Sequence, residues 1–210
     1  MWLVRRIVHL LRRRVNGLPF DSRSLGAYSN YRKLFPHGVT VSMDWAQTIV
    51  KCLKAEKISL IPYVPDISVF QVTKLLEEDP FFQLVPATRE EEALGIAAGS
   101  YAVGRNSAVF MQSSGFGNTI NAIASLCIPC RIPIPLFINL RGEVGEFNIA
   151  QVPMGRATRP ILDVLGLPFY TLDNPDTAEQ IISGALRLCY ASREPLALCM
   201  TSLLHRGKLA

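Results

Sequence analysis

Residues 89–126 read REEEALGIAAGSYAVGRNSAVFMQSSGFGNTINAIASL. Four pieces follow one another. The acids Glu90, Glu91 and Glu92 open a segment rich in alanine and glycine, which has the composition of a tightly packed helix. A short apolar strand, 108–111, comes next. It runs into the small polar stretch Gln112-Ser113-Ser114-Gly115-Phe116-Gly117-Asn118, read as a turn that opens a second helix over 119–127. A strand that ends in glycine and serine at a helix start is a common ligand cradle of α/β folds. Glycine lets backbone approach the ligand, and the first helical turn offers unpaired N–H donors.

The flanking sequence alternates in the same way. Asp44 can cap a helix that places Trp45, Ile49, Val50 and Leu53 on one face. Residues 58–64 form an apolar run with the length of a buried strand. The turn Tyr63-Val64-Pro65-Asp66 follows, then a helix over 68–78 and a strand over 82–86 that leads into Glu90. Beyond the central stretch, strands are expected at 134–140, 169–172 and 196–201, with a helix over 176–191. Residues 141–158, punctuated by Gly142, Gly145, Pro153 and Gly155, read as a long loop, and Pro160 as the first turn of a short helix over 161–165. Six strands alternating with helices predict a single α/β domain with a mostly parallel six-stranded sheet flanked by helices. Ligands of such sheets bind beyond the carboxyl ends of the strands. Asp66, Glu90, Gln112 to Asn118 and Arg141 all follow strand ends, so one edge can collect them.

Composition narrows the function classes. A chain of 210 residues with 49% hydrophobic and 19% charged residues has the makings of a folded core and is unlike a disordered chain. The formal charge of +5 is unevenly placed. Residues 1–42 hold eight Lys/Arg against one acid, and residues 43–210 hold 14 against 16. The chain therefore divides into a basic, poorly ordered N-terminal extension (1–42) and a body (43–210) without the footprint of a nucleic-acid binder. The extension fits an organelle transit peptide, a basic helix on an anionic surface, or a loose tail or too early a start codon; the last pair is favoured, with a cytoplasmic location. No apolar run reaches the ~20 residues of a membrane span. The five cysteines, Cys52, Cys127, Cys130, Cys189 and Cys199, are scattered and odd in number, against a disulfide framework. The lone CxxC, Cys127-Ile-Pro-Cys130, reads as core thiols more readily than as a metal site. All three histidines, His9, His37 and His205, lie in the extension or at the C-terminus. A catalytic body thus lacks His for a nucleophile–base pair, and a cofactor must carry the difficult electronic step.

The order Glu90, Ala93, Ala97-Ala98-Gly99, a strand, then Ser114-Gly115-Phe116-Gly117-Asn118 resembles the pyrimidine-binding domain of thiamine-diphosphate enzymes. Within that superfamily MQSSGFGNTINAIASL looks most like the sulfopyruvate and phosphonopyruvate decarboxylases, and the resemblance runs from about 44 to about 203. A dinucleotide-binding module fits less well, because Gly115-Phe116-Gly117-Asn118-Thr119-Ile120 lacks the third glycine of GxGxxG.

The resemblance implies a thiamine-diphosphate cofactor whose aminopyrimidine nitrogen meets one carboxyl group. The family places that glutamate nine residues before a helix glycine, which here selects Glu90 before Gly99, as cofactor-binding and catalytic. Glu91 and Glu92 are the neighbouring alternatives, and an acidic first helical turn facing the macrodipole is the ordinary reading of the triplet. Gln112, Ser113, Ser114, Gly115, Gly117 and Asn118 match the turn that meets the pyrimidine. Asp66 matches a loop acid that relays a proton to the substrate. Ser114, Arg141, Gln151 and Arg156 match positions near the substrate, where an arginine fork suits a sulfonate or phosphonate. No metal ligand is assigned to this chain. Family members carry a Gly-Asp-Gly…Asn-Asn element that holds the diphosphate through Mg²⁺, and this sequence has no Gly-Asp-Gly. The resemblance therefore implies an alpha-type subunit in a hetero-oligomer, with Mg²⁺ on a beta-type partner. The implied reaction takes a small anionic 2-oxo acid, sulfopyruvate, to sulfoacetaldehyde and CO2. Phosphonopyruvate decarboxylation, or a non-catalytic orphan domain that binds or regulates a partner, are the alternatives.

Overall fold

Six strands form one sheet in the order β2-β1-β3-β4-β6-β5, every neighbour parallel. The strands are β1 (Leu60–Tyr63), β2 (Gln83–Pro86), β3 (Val109–Gln112), β4 (Pro135–Asn139), β5 (Phe169–Leu172) and β6 (Leu196–Met200). This architecture comes from a computed structural model, which describes residues 44–66 and 70–205. The N-terminal extension, with His9 and His37, lies outside those residues, as do the first residues expected of the 68–78 helix.

The helices are α1 (Asp44–Ala55) before β1, α2 (Phe70–Glu78), α3 (Glu90–Ala102), α4 (Ser113–Ala122), α5 (Val152–Val164) and α6 (Pro175–Ser192) between strands, and α7 (Ser202–His205) after β6. Alternation along β3 and β4 sorts side chains to two cores. Phe110 and Phe137 face α1, α2 and α6, and their rings stack with centroids 4.5 Å apart. Val109, Met111, Leu136 and Ile138 face the opposite layer with Leu94, Phe116 and Leu162 from α3, α4 and α5. Each such side chain, buried to 0% exposure, is worth about 2 kcal/mol relative to leaving it in water.

The sheet is thinnest between β1 and β3. Leu60 accepts from the Ala108 N–H at 3.2 Å and Val64 donates to Phe110 at 3.4 Å. Pro62 sits between them and has no N–H to give. The chain reverses its direction of travel across the sheet at this same seam, since β1 leads outward to β2 and β3 begins the opposite half. That reversal opens a crevice beyond the carboxyl ends of β1 and β3.

Two expected boundaries are corrected. Ser113 to Asn118 do not form a turn before a helix; they are the first turns of α4, and five further residues, Ile123–Cys127, continue it as a wider π-turn. Residues 149–158 do not belong to a long loop. A 3₁₀ turn, Ile149–Gln151, leads into α5, which starts at Val152 with Pro153 in its first turn. Pro160 lies inside that helix rather than at its start, on the exposed side where water can meet the carbonyl its missing N–H leaves.

Candidate active site

Glu90 is the first residue of α3, and the backbone before it is extended at Arg89. The three acids of the triplet part company here. Glu92 turns back to accept from the Thr88 N–H at 2.8 Å, a capping role. Glu91 pairs with Arg89 at the surface, 3.0 Å away. Glu90 turns inward, and only 8% of it is exposed, while Glu91 buries one carboxylate oxygen beside its surface pair. Its Oε2 accepts from the Asn118 side-chain amide at 3.2 Å. Its Oε1 lies against Gly115, in the space where any Cβ on that residue would stand. Glycine at 115 is therefore a steric requirement of the Glu90 position.

The other glycine of the motif has a different neighbour. A Cβ on Gly117 would stand 3.0 Å from the Met154 sulfur on α5. Gly117 thus lets α4 and α5 close on one another, which makes it a packing residue.

Gln112 ends β3, and Ser113 follows it completely buried. The Ser113 hydroxyl donates to the Asn139 carbonyl at 3.3 Å and accepts from the Arg141 N–H at 3.1 Å. The side chain expected to meet a ligand is therefore turned the other way, tying the end of β3 to the end of β4. Ser114 and Asn118 stay accessible on α4, half-buried and exposed.

Asp66 lies beyond β1, and its Oδ2 accepts from the Asn139 amide at 3.1 Å. Asn139 is 1% exposed and had given no sequence signal, because an Asn ending an apolar strand reads as a boundary. Arg141 is likewise engaged within the chain. Its Nε and Nη2 donate to Glu146 at 2.6 and 3.0 Å, and Nη1 donates to the Gln112 Oε1 at 3.2 Å. The paired carboxylate keeps Arg141 firmly charged, and the guanidinium holds Glu146 far below the ordinary carboxylate range, at about 2. The forked edge of Arg141 that was expected to suit an anionic head group holds the Glu146 carboxylate in this structure. Glu146 was not foreseen, since a loop glutamate between glycines carries no periodic signal. Gln151 is half-buried at the start of α5, and Arg156 is exposed on that helix one turn further on.

The Cys127-Ile-Pro-Cys130 pair is split by burial, Cys127 inside and Cys130 outside, and no disulfide joins them. Desolvation pushes the Cys127 thiol up to about 12. No group of three His, Cys, Asp or Glu side chains gathers among the described residues. Among them, too, no helix is long and apolar enough to cross a membrane.

A buried carboxylate at a helix start, a glycine that makes room for it, and the start of α4 beyond β3 gather in one place. Residues 43–136, which contain all three, match the family described as thiamine pyrophosphate enzyme, N-terminal TPP binding domain. The fold is similar to that of a 2-oxoglutarate:ferredoxin oxidoreductase from Magnetococcus marinus, with a TM-score of 0.60 at 10% identity, over 77% of this chain and 29% of that one. The sulfopyruvate decarboxylase subunit alpha of Methanocaldococcus jannaschii is 43% identical over 77% of this chain and 95% of its own length. A phosphonopyruvate decarboxylase of Streptomyces viridochromogenes is 29% identical, and this chain spans only 38% of it. The chain belongs to the sulfopyruvate decarboxylase alpha-subunit family.

Proposed function

We propose that this chain is the alpha-type subunit of a thiamine-diphosphate-dependent decarboxylase, converting sulfopyruvate to sulfoacetaldehyde and CO2. The observation that carries the reading is the Glu90 carboxylate, buried against Gly115 and steadied by Asn118. Its pocket fits a ring nitrogen: one acid, one donor, and a helix surface with the nearest side chain removed. When bound, thiamine diphosphate supplies the carbanion and electron sink that loss of CO2 from a 2-oxo acid requires.

The protein's own part is to hold and move protons. Glu90 would hold the aminopyrimidine nitrogen through a shared proton, and its burial would keep water from competing for that hydrogen bond. Asn118 fixes which oxygen does so by occupying Oε2. Gln112 and Ser114 frame the opening of α4, and Asp66, held by Asn139, would be the acid that returns a proton to the product carbon. Gln151 and Arg156 remain the groups of this chain assigned to the substrate's anionic end.

The diphosphate and Mg²⁺ are assigned to a beta-type partner. One feature supports this: the chain spans 95% of an alpha subunit but 38% of a phosphonopyruvate enzyme named as one protein. The test is co-expression with a beta-type chain bearing the Gly-Asp-Gly element, followed by CO2 release from sulfopyruvate and from phosphonopyruvate. Turnover of sulfopyruvate above phosphonopyruvate is expected. The reverse order transfers the assignment to the phosphonate, and turnover of neither sinks the enzyme in favour of a binding role.

A further inference from the structure

Glu146 is the most fully engaged carboxylate near the site, yet nothing in the proposed reaction uses it. It accepts from Arg141 Nε and Nη2, from the Gly142 N–H at 3.4 Å and from the Asn148 N–H at 2.9 Å. The Arg141 and Glu146 side chains are 10% and 8% exposed. A two-point pair with backbone donors on the remaining lone pairs has one geometry open to it, because any rotation leaves a buried charge short of partners.

The backbone of Arg141 is held equally closely. Its N–H meets the Ser113 hydroxyl, and its carbonyl packs on α5 where a Cβ on Gly155 would collide with it. Gly142 follows with φ +73°, the left-handed turn that folds the chain back towards Glu146. With position and forked edge both set, two consequences reach the site. Nη1 points to Gln112, the last residue of β3. The Asp66 carboxylate, beyond β1, adds to what keeps the guanidinium charged.

We propose that Glu146 is a positioning residue of this site. It acts through Arg141, turning the forked edge inward so that the arginine braces Gln112 and faces Asp66 instead of clamping the substrate's head group. Its effect on turnover rests on the decarboxylase reading above; its effect on Gln112 does not.

The experiment uses the full chain, alone and co-expressed with the beta-type partner. Glu146→Gln keeps the shape and removes the charge, Arg141→Lys keeps the charge and removes the fork, and the double variant combines them. A brace predicts that each single variant lowers kcat about tenfold or more, while KM for sulfopyruvate stays within about threefold. It also predicts that the double variant is no worse than the poorer single, because the two residues act as a unit. A substrate clamp predicts the opposite split, Arg141→Lys raising KM about tenfold or more with Glu146→Gln near normal; that outcome, or additive losses, overturns the proposal. In the chain alone, the Gln112 side-chain amide resonance should move in Glu146→Gln, and an unmoved resonance overturns it as well. If Glu146→Gln does not fold, Glu146→Asp, which keeps the charge and shortens the reach, carries the same comparisons. A wild-type complex that releases no CO2 from either acid removes the decarboxylase reading, and the Gln112 resonance still decides the brace.

Discussion

The carboxylate of Glu90 occupies the volume that a Cβ on Gly115 would need. The two residues come from helices that follow different strands, and only the packing of α3 beside α4 brings them together. The obstructed atoms belong to a flexible side chain, so an added methyl would displace Glu90 while leaving the backbone in place. Gly115→Ala should therefore keep the melting temperature close to wild type, since alanine favours a helix interior by about 1 kcal/mol. Turnover of the assembled enzyme should fall by roughly a hundredfold or more as Glu90 is pushed aside. Calorimetry and the CO2-release assay on one preparation separate the two effects, and normal turnover would remove Glu90 from its assigned place.

Glu90→Gln tests the same group without moving it. The amide keeps the shape and the contact with Gly115 but cannot share a proton as the acid does. Turnover should fall by about a hundredfold or more with unchanged secondary structure by circular dichroism. Glu91→Gln and Glu92→Gln should stay within a few-fold of wild type, since one pairs at the surface and the other caps α3.

Gly155→Ala should behave in the opposite manner to Gly115→Ala. Its Cβ would meet the carbonyl of Arg141, which is backbone pinned from both sides. Relief requires α5 to move away from the end of β4, at a cost of about 3 kcal/mol or more. Urea unfolding should show that loss, and a midpoint equal to wild type would mean the α5 contact is softer than described.

Acid should weaken the fold through Glu146. Its carboxyl sits at about 2 when folded, against an ordinary 4.5, because Arg141 and two backbone donors hold the charged form. A depressed folded-state value contributes stability that is fully present above the unfolded value and is lost as pH falls towards the folded one. The urea midpoint should therefore drop between pH 4.5 and about 2, and Glu146→Gln should flatten that part of the profile. Parallel profiles for the two proteins would contradict the assignment.

Thiol chemistry should single out Cys130. It is exposed, while Cys52, Cys127, Cys189 and Cys199 are buried. Desolvation lifts the Cys127 and Cys199 thiols to about 12 each, which leaves almost no thiolate at neutral pH. A maleimide at pH 7 should add once to the folded chain at Cys130 by mass spectrometry; modification of Cys127 would show that the π-turn opens.

The alternation of apolar runs with helical segments was legible because buried parallel strands and the helices that cover them leave different periodicities. The strands expected at 134–140 and 196–201 and the order of the elements follow from that signal. The 141–158 stretch was less legible. Gly155, Pro153 and Pro160 look like helix breakers locally, but Gly155 is there for the Arg141 carbonyl and Pro160 rides on the exposed side. Packing overrode propensity, as it does wherever a small residue serves a neighbour distant in the chain.

From sequence alone came the α/β class, the Glu90 triplet, the small-residue stretch after β3 and the family resemblance, since each is written in adjacent residues. Which of three glutamates turns inward, that Ser113 faces β4 and not the crevice, and that Arg141 already holds a carboxylate were decided only in three dimensions. The reason is physical: a side chain's direction depends on which partner lies within about 3 Å of it, and for Glu90, Ser113 and Asp66 those partners stand 26 to 73 residues away.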